Sequence, residues 1–69
     1  MSEQTKNWFS YHAPVGDQAE RYEKLRAAGG VLAELIEELC PQSADRTVAI
    51  HKVREAIYSA NASIACDGK

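Results

Sequence analysis

The residues with chemistry to offer fall in two short stretches. The first is aromatic: Trp8, Phe9, Tyr11 and His12 stand close together and end at Ala13-Pro14. Flat rings at that density either stack on a nucleobase or pack an arm against the rest of the chain, and packing is the commoner use. The second stretch is basic: Arg21, Lys24 and Arg26 fall near the start of a helical segment, the wrong end for cations where the helix dipole alone is considered. Asp17 and Glu20 precede Arg21 and Lys24 by four residues and supply ordinary i,i+4 partners on a solvated face. Arg26 differs. Glu23 is its charged neighbour at helical spacing, and its i+3 and i+4 positions are Gly29 and Gly30, which present no side chain. Arg26 is therefore the candidate for holding a phosphate. The two glycines each cost a helix roughly 0.8–1.0 kcal/mol relative to alanine. Either a close helix contact or a partner admitted to bare backbone has to offset that.

Other polar groups read as structural. No nucleophile has an adjacent base, and no glycine-rich loop stands at a strand–helix junction, so catalysis is not indicated. Glu34, Glu37 and Glu38 lie on one solvated helical face; His51 has Glu55 at i+4; Asn61, beside an apolar seam, is of the kind that fixes register or oligomeric state. His12 and His51 are far apart in sequence, and Cys40 and Cys66 form no Cys-x-x-Cys pair, so neither a metal site nor a cofactor is expected. Ten acidic against eight basic side chains leave a net charge of -2, a poor footprint for DNA or RNA.

These groups must be positioned by helices. Gly16 breaks the chain, and Asp17 with Glu20 three residues on is a capping-box-like start, the Asp17 carboxylate placed to accept from free backbone N–H groups. From there the apolar stripe runs Tyr22, Leu25, Gly29, Leu32, Ile36, Leu39, widened by Val31 and Leu35, until Pro41 stops the ladder. Ser43 is the N-cap of a second helix with Asp45 in its first turn and a stripe Val48, Ile50, Val53, Ile57, Ala60, Ile64. So short a turn forces the helices antiparallel. The chain is thus read as one all-α domain over 1–69: a short N-terminal aromatic arm or helix over 1–16, its first residues loose, then a long antiparallel hairpin of helix one over 17–40 and helix two over 43–66. At about 1.5 Å per helical residue, Cys40 and Cys66 end roughly 30 Å apart, which excludes a disulfide between them.

A core of this size supplies roughly 3–5 kcal/mol, so a further staple is needed. With disulfides and metals set aside, self-association remains. The apolar runs are too short for a membrane span, and without a signal peptide a cytoplasmic location is expected.

Taken in order, Phe9-Ser10-Tyr11-His12-Ala13-Pro14, Asp17-Gln18, Arg21-Tyr22, Leu25-Arg26, Cys40-Pro41-Gln42-Ser43 and Ala60-Asn61-Ala62-Ser63-Ile64-Ala65 resemble the phage anti-CBASS cyclic-oligonucleotide sponge family, which shares a helical hairpin domain with a phage anti-Thoeris sponge. The resemblance spans about Trp8 to Cys66. It implies a homohexamer of interlocked hairpins in the cytoplasm of the infected host cell, holding cyclic dinucleotides such as 3′,3′-cyclic GMP-AMP between the arm of one subunit and the helices of another. By position, Tyr11 stacks on a base and Arg26 neutralises a phosphate, while Phe9, His12 and Pro14 shape the pocket. The family's separate trinucleotide site uses a hydroxyl residue and an arginine where this chain has Ala28 and Cys66, and Tyr58-Ser59 and Gly30 also depart from the usual pattern. The rival reading is a small helical protein–protein adaptor or antitoxin-like module whose arm docks onto a protein. A helix-turn-helix is disfavoured by the acidic balance and the long hairpin.

Overall fold

The computed structural model describes residues 2–69, and among these it holds three helices and no strand: α1 (Glu3–Trp8), α2 (Gln18–Leu39) and α3 (Ala44–Ala65). Met1, the first residue of the expected arm, lies outside the described residues. The long helices form an antiparallel hairpin, and all four of their cap positions fall on residues that the sequence pattern marked as helix ends: Asp17, Cys40, Ser43 and Cys66.

The caps work differently from one another. Ser43 behaves as its type dictates, its hydroxyl accepting from the Arg46 N–H at 3.1 Å. Arg46 in turn reaches back to donate to the Glu37 carbonyl at 3.3 Å. α2 has no basic residue in its own last turn, so the next helix supplies the cation its C-terminus favours. Asp17 corrects the expectation placed on it. Its side chain caps nothing and instead pairs with Arg21 Nε at 3.2 Å. The start of α2 is held by Gln18, whose N–H donates to the Val15 carbonyl and whose Oε1 accepts from the Val15 N–H, each at 3.0 Å.

The first residues are not loose as the sequence reading expected. Ser2 caps α1 by accepting from the Thr5 N–H at 3.1 Å, with Glu3 in the first turn and Lys6 in the last. That signal was present in the sequence, but six residues are too few to hold a helix unaided.

Where α2 and α3 touch, the seam follows Tyr22, Leu25, Gly29, Ala33 and Ile36 on one side and Ile50, Val53, Ile57, Ala60 and Ile64 on the other. Five expected members drop out, among them Val31 and Leu35, which were expected to widen the α2 stripe and are exposed. Leu32 and Leu39 are exposed because the seam steps from Gly29 to Ala33, following the true helical period. Val48 is exposed because a residue two positions from Ile50 points to the other side of the helix. Gly29 is buried, and a Cβ built there would stand 2.7 Å from Ile57 Cγ1. Gly30 meets nothing within 4 Å. The two adjacent glycines therefore have separate reasons, close packing for the first and open space beside the second.

No hydrophobic side chain among the described residues is fully buried. The chain exposes 5476 Å², about a quarter more than the roughly 4,300 Å² typical of a compact monomer of this mass. Val31, Leu32, Leu35 and Leu39 are apolar residues of α2 that the seam leaves exposed.

The glycines give a test with opposite signs. Gly30→Ala gains helix propensity at no steric cost and should raise unfolding stability by about 0.5–1 kcal/mol. Gly29→Ala forces Ile57 aside and should lower it by about 1–2 kcal/mol net, because overpacking of about 1–3 kcal/mol exceeds the propensity gain. Urea unfolding at matched protein concentration checks both.

Candidate functional site

The N-terminal segment is tied to the far end of α3 by side chains that satisfy backbone groups there. Asp67 (φ 54°) and Gly68 (φ 73°) take left-handed conformations after α3 and turn the chain back, with the Gly68 N–H donating to the Ser63 carbonyl at 2.8 Å. This turn brings the Lys69 carbonyl to Trp8, whose indole Nε1–H donates to it at 3.1 Å. Asn7 Nδ2 donates to the Cys66 carbonyl at 3.4 Å, and Gln18 Nε2 donates to the Ile64 carbonyl at 3.2 Å. The last carbonyls of a helix lack intrahelical partners, so the open end of the hairpin becomes the dock for the arm.

His12 belongs to the same junction. Its Nε2 lies 2.7 Å from the Asn7 carbonyl oxygen, and since a carbonyl only accepts, Nε2 carries a proton here. The Cys66 thiol faces the same oxygen at 3.9 Å. A cavity of about 510 Å³ opens here, lined by Glu3, Asn7, His12, Cys66, Asp67 and Lys69 among others. Among the described residues, no group of three or more His, Cys, Asp or Glu side chains is placed to hold a metal ion, and both cysteines are free thiols.

Tyr11 and Phe9 point into solvent, 87% and 82% exposed, and Pro14 is exposed as well. Arg26 lies on α2, at one wall of a separate groove of about 340 Å³ between the long helices. Its floor is mostly apolar, formed by Gly29, Ala33, Ile50, Val53 and Ile57. Among the described residues, Arg26 has no carboxylate within ion-pair distance, whereas Arg21 and Lys24 are held by Asp17 and Glu20 as their spacing predicts. Glu55 pairs with Lys52 at 3.5 Å, so the expected His51–Glu55 contact does not form. Within one chain, then, the five expected site residues fall in three places: His12 at the junction, Arg26 in the groove, and Phe9, Tyr11 and Pro14 on the exposed arm.

Sequence reasoning did not name Arg54 and noted Tyr58 only as a departure from the family pattern; both line the groove from α3, opposite Arg26 on α2. Arg54 Nε donates to the Tyr58 hydroxyl at 2.7 Å, and its guanidinium carbon lies 5.2 Å from the ring centroid. The i,i+4 spacing of an arginine and a tyrosine was the available signal.

Residues 1–65 match the Acb2/Tad1 hairpin domain family. The chain belongs to that family. Acb2/Tad1 hairpin proteins are cyclic-nucleotide sponges, non-catalytic binders of signalling nucleotides. No curated protein and no solved structure matches the chain. Among the described residues no helix is long and apolar enough to cross a membrane.

The docked arm has a measurable signature. Asn7→Ala removes one of the two side-chain ties, with that of Trp8, that hold α1 at the far end of α3, and so short a helix should then fray. The Lys6 and Phe9 amides, which donate to the Ser2 and Thr5 carbonyls, should lose at least tenfold of their hydrogen-exchange protection while amides in the middle of α2 keep theirs.

Proposed function

We propose that the chain is a sponge for cyclic dinucleotides such as 3′,3′-cyclic GMP-AMP, acting in the host cytoplasm to keep the messenger from its CBASS effector. The observation that carries this reading is the state of its two principal contacts in a family of nucleotide sponges: an unpaired Arg26 beside an apolar groove and a Tyr11 ring open to solvent. Tyr11 stacks on a base, Arg26 bonds a phosphate, and Phe9, His12 and Pro14 close the pocket around the ligand. A stacked base contributes about 1–3 kcal/mol, and a hydrogen bond to a charged group about 1.5–3 kcal/mol. A sponge has no transition state to stabilise. Its effect depends on tight binding, enough sites to exceed the messenger, and slow release.

The pocket is completed by a second copy of the chain. The excess exposed area and the uncovered Val31, Leu32, Leu35 and Leu39 support self-association, and the family resemblance makes the assembly a homohexamer. Arm and groove lie apart within one chain, so a site using Tyr11 of one subunit and Arg26 of another needs that assembly.

Calorimetric titration with 3′,3′-cyclic GMP-AMP should show tight binding. Tyr11→Ala and Arg26→Ala should each weaken it about ten- to hundredfold while light scattering shows an unchanged assembly. Failure of the wild-type chain to bind any of a panel of cyclic dinucleotides would overturn the sponge reading and favour the protein-adaptor alternative. Leu32→Glu should lower the mass seen by light scattering and abolish binding together, since the site is built from two chains.

A further inference from the structure

We infer that Arg54, oriented by Tyr58, is a second phosphate-binding cation of the dinucleotide site, with Asn61 an acceptor for a base N–H; the inference rests on the sponge reading above. The groove between α2 and α3 has Arg26 on one wall and Arg54 on the other, with Tyr58 and Asn61 beside Arg54. The positions repeat on both helices: Arg26, Gly30 and Ala33 on α2, and Arg54, Tyr58 and Asn61 on α3, each at i, i+4 and i+7. That spacing keeps each set on one helical face.

Three observations make this wall a site for an anion. First, among the described residues no carboxylate lines the groove and Arg54 makes no ion pair; Glu55, one position on, points to a different side of the helix and pairs with Lys52. Two guanidinium groups therefore border one apolar groove that holds no counter-charge from the described residues. Second, Arg54 is held in place. The bond from Nε to the Tyr58 hydroxyl leaves its terminal nitrogens free, the pair of donors that suits a phosphate. Third, Asn61 Oδ1 is buried and has no hydrogen-bond partner. A buried acceptor left unsatisfied is destabilising, and purine amino and ring N–H groups are donors of the required kind.

The ligand class follows from the count of charges. A cyclic dinucleotide carries two phosphodiesters, each singly negative, and the groove offers two unpaired cations. Gly30 leaves open space beside Arg26 through which a planar base can approach the groove floor.

The test is titration of 3′,3′-cyclic GMP-AMP at two salt concentrations into the wild-type chain and the variants Arg54→Met, Arg54→Lys and Tyr58→Phe, with assembly size followed by light scattering. Arg54→Met should weaken binding about tenfold or more and make the affinity less sensitive to salt, since one charge pair with a phosphate, which salt screens, is lost. Arg54→Lys should keep the salt sensitivity and lose only a few-fold in affinity, and Tyr58→Phe should lose a few-fold without changing the salt sensitivity. Arg54 is exposed, so a change in assembly is not expected; should Arg54→Met alter it, Arg54→Gln takes its place. Wild-type affinity and salt sensitivity in the Met or Gln variant, with Arg26→Ala still defective, would overturn the role of Arg54 and leave the sponge reading intact. Absence of binding by the wild-type chain would overturn both.

Discussion

The hairpin depends on how closely two helices approach one another at Gly29. Because that residue has no Cβ, Ile57 can lie against the backbone of α2, and the helices close over a seam of half-buried side chains. A larger residue there would push α3 outward and separate Arg26 from Arg54, whose groove is floored by Gly29 and Ile57 themselves. The packing contact and the candidate site are thus two sides of one close approach. Gly30, one position on, keeps the groove beside Arg26 open for the same chemical reason that its neighbour keeps the helices close.

A second dependence runs along the length of the molecule. α1 is too short to be stable by itself, and it is held where side chains of Asn7, Trp8 and Gln18 satisfy carbonyls at and beyond the end of α3. This fixes the origin of the aromatic segment while leaving Phe9 and Tyr11 in solvent. Anchored at one end and uncovered at the other, the segment is free to meet a second chain, as the proposed assembly requires. The apolar residues of α2 that miss the seam point the same way. A chain this small cannot bury its hydrophobic residues with two helices alone, since a pair of cylinders offers each helix only one covered face.

Much of the fold was legible in the sequence because its signals are local. Pro41 and Ser43 mark the turn whatever surrounds them, and the helix-forming runs on either side leave no other connection than a tight antiparallel one. The pairs Asp17–Arg21 and Glu20–Lys24 form as their spacing requires. Where local signals competed, the reading went astray. Asp17 had both a capping role and a salt-bridge partner within reach, and the partner won. Glu55 stood at helical spacing from His51 and also from Lys52, and the full positive charge of the lysine won. The α1 signal at Ser2 was present, but its stability depends on residues roughly sixty positions away.

The sequence by itself determined the helical class, the turn and the helix ends, because helix propensity, capping and i,i+4 pairing act over one or two turns of chain, whereas the roles given to Tyr11 and Arg26 rest on the family resemblance and not on local physics. Only the tertiary structure decided which of the two glycines is packed and which is open, that Leu32 and Leu39 leave the seam, and that Arg54, Tyr58 and Asn61 share a groove with Arg26. Those outcomes depend on the register and rotation of α2 against α3. A shift of one residue turns a helix face by about 100°, so its direction is set by the whole seam and not by any short stretch of it.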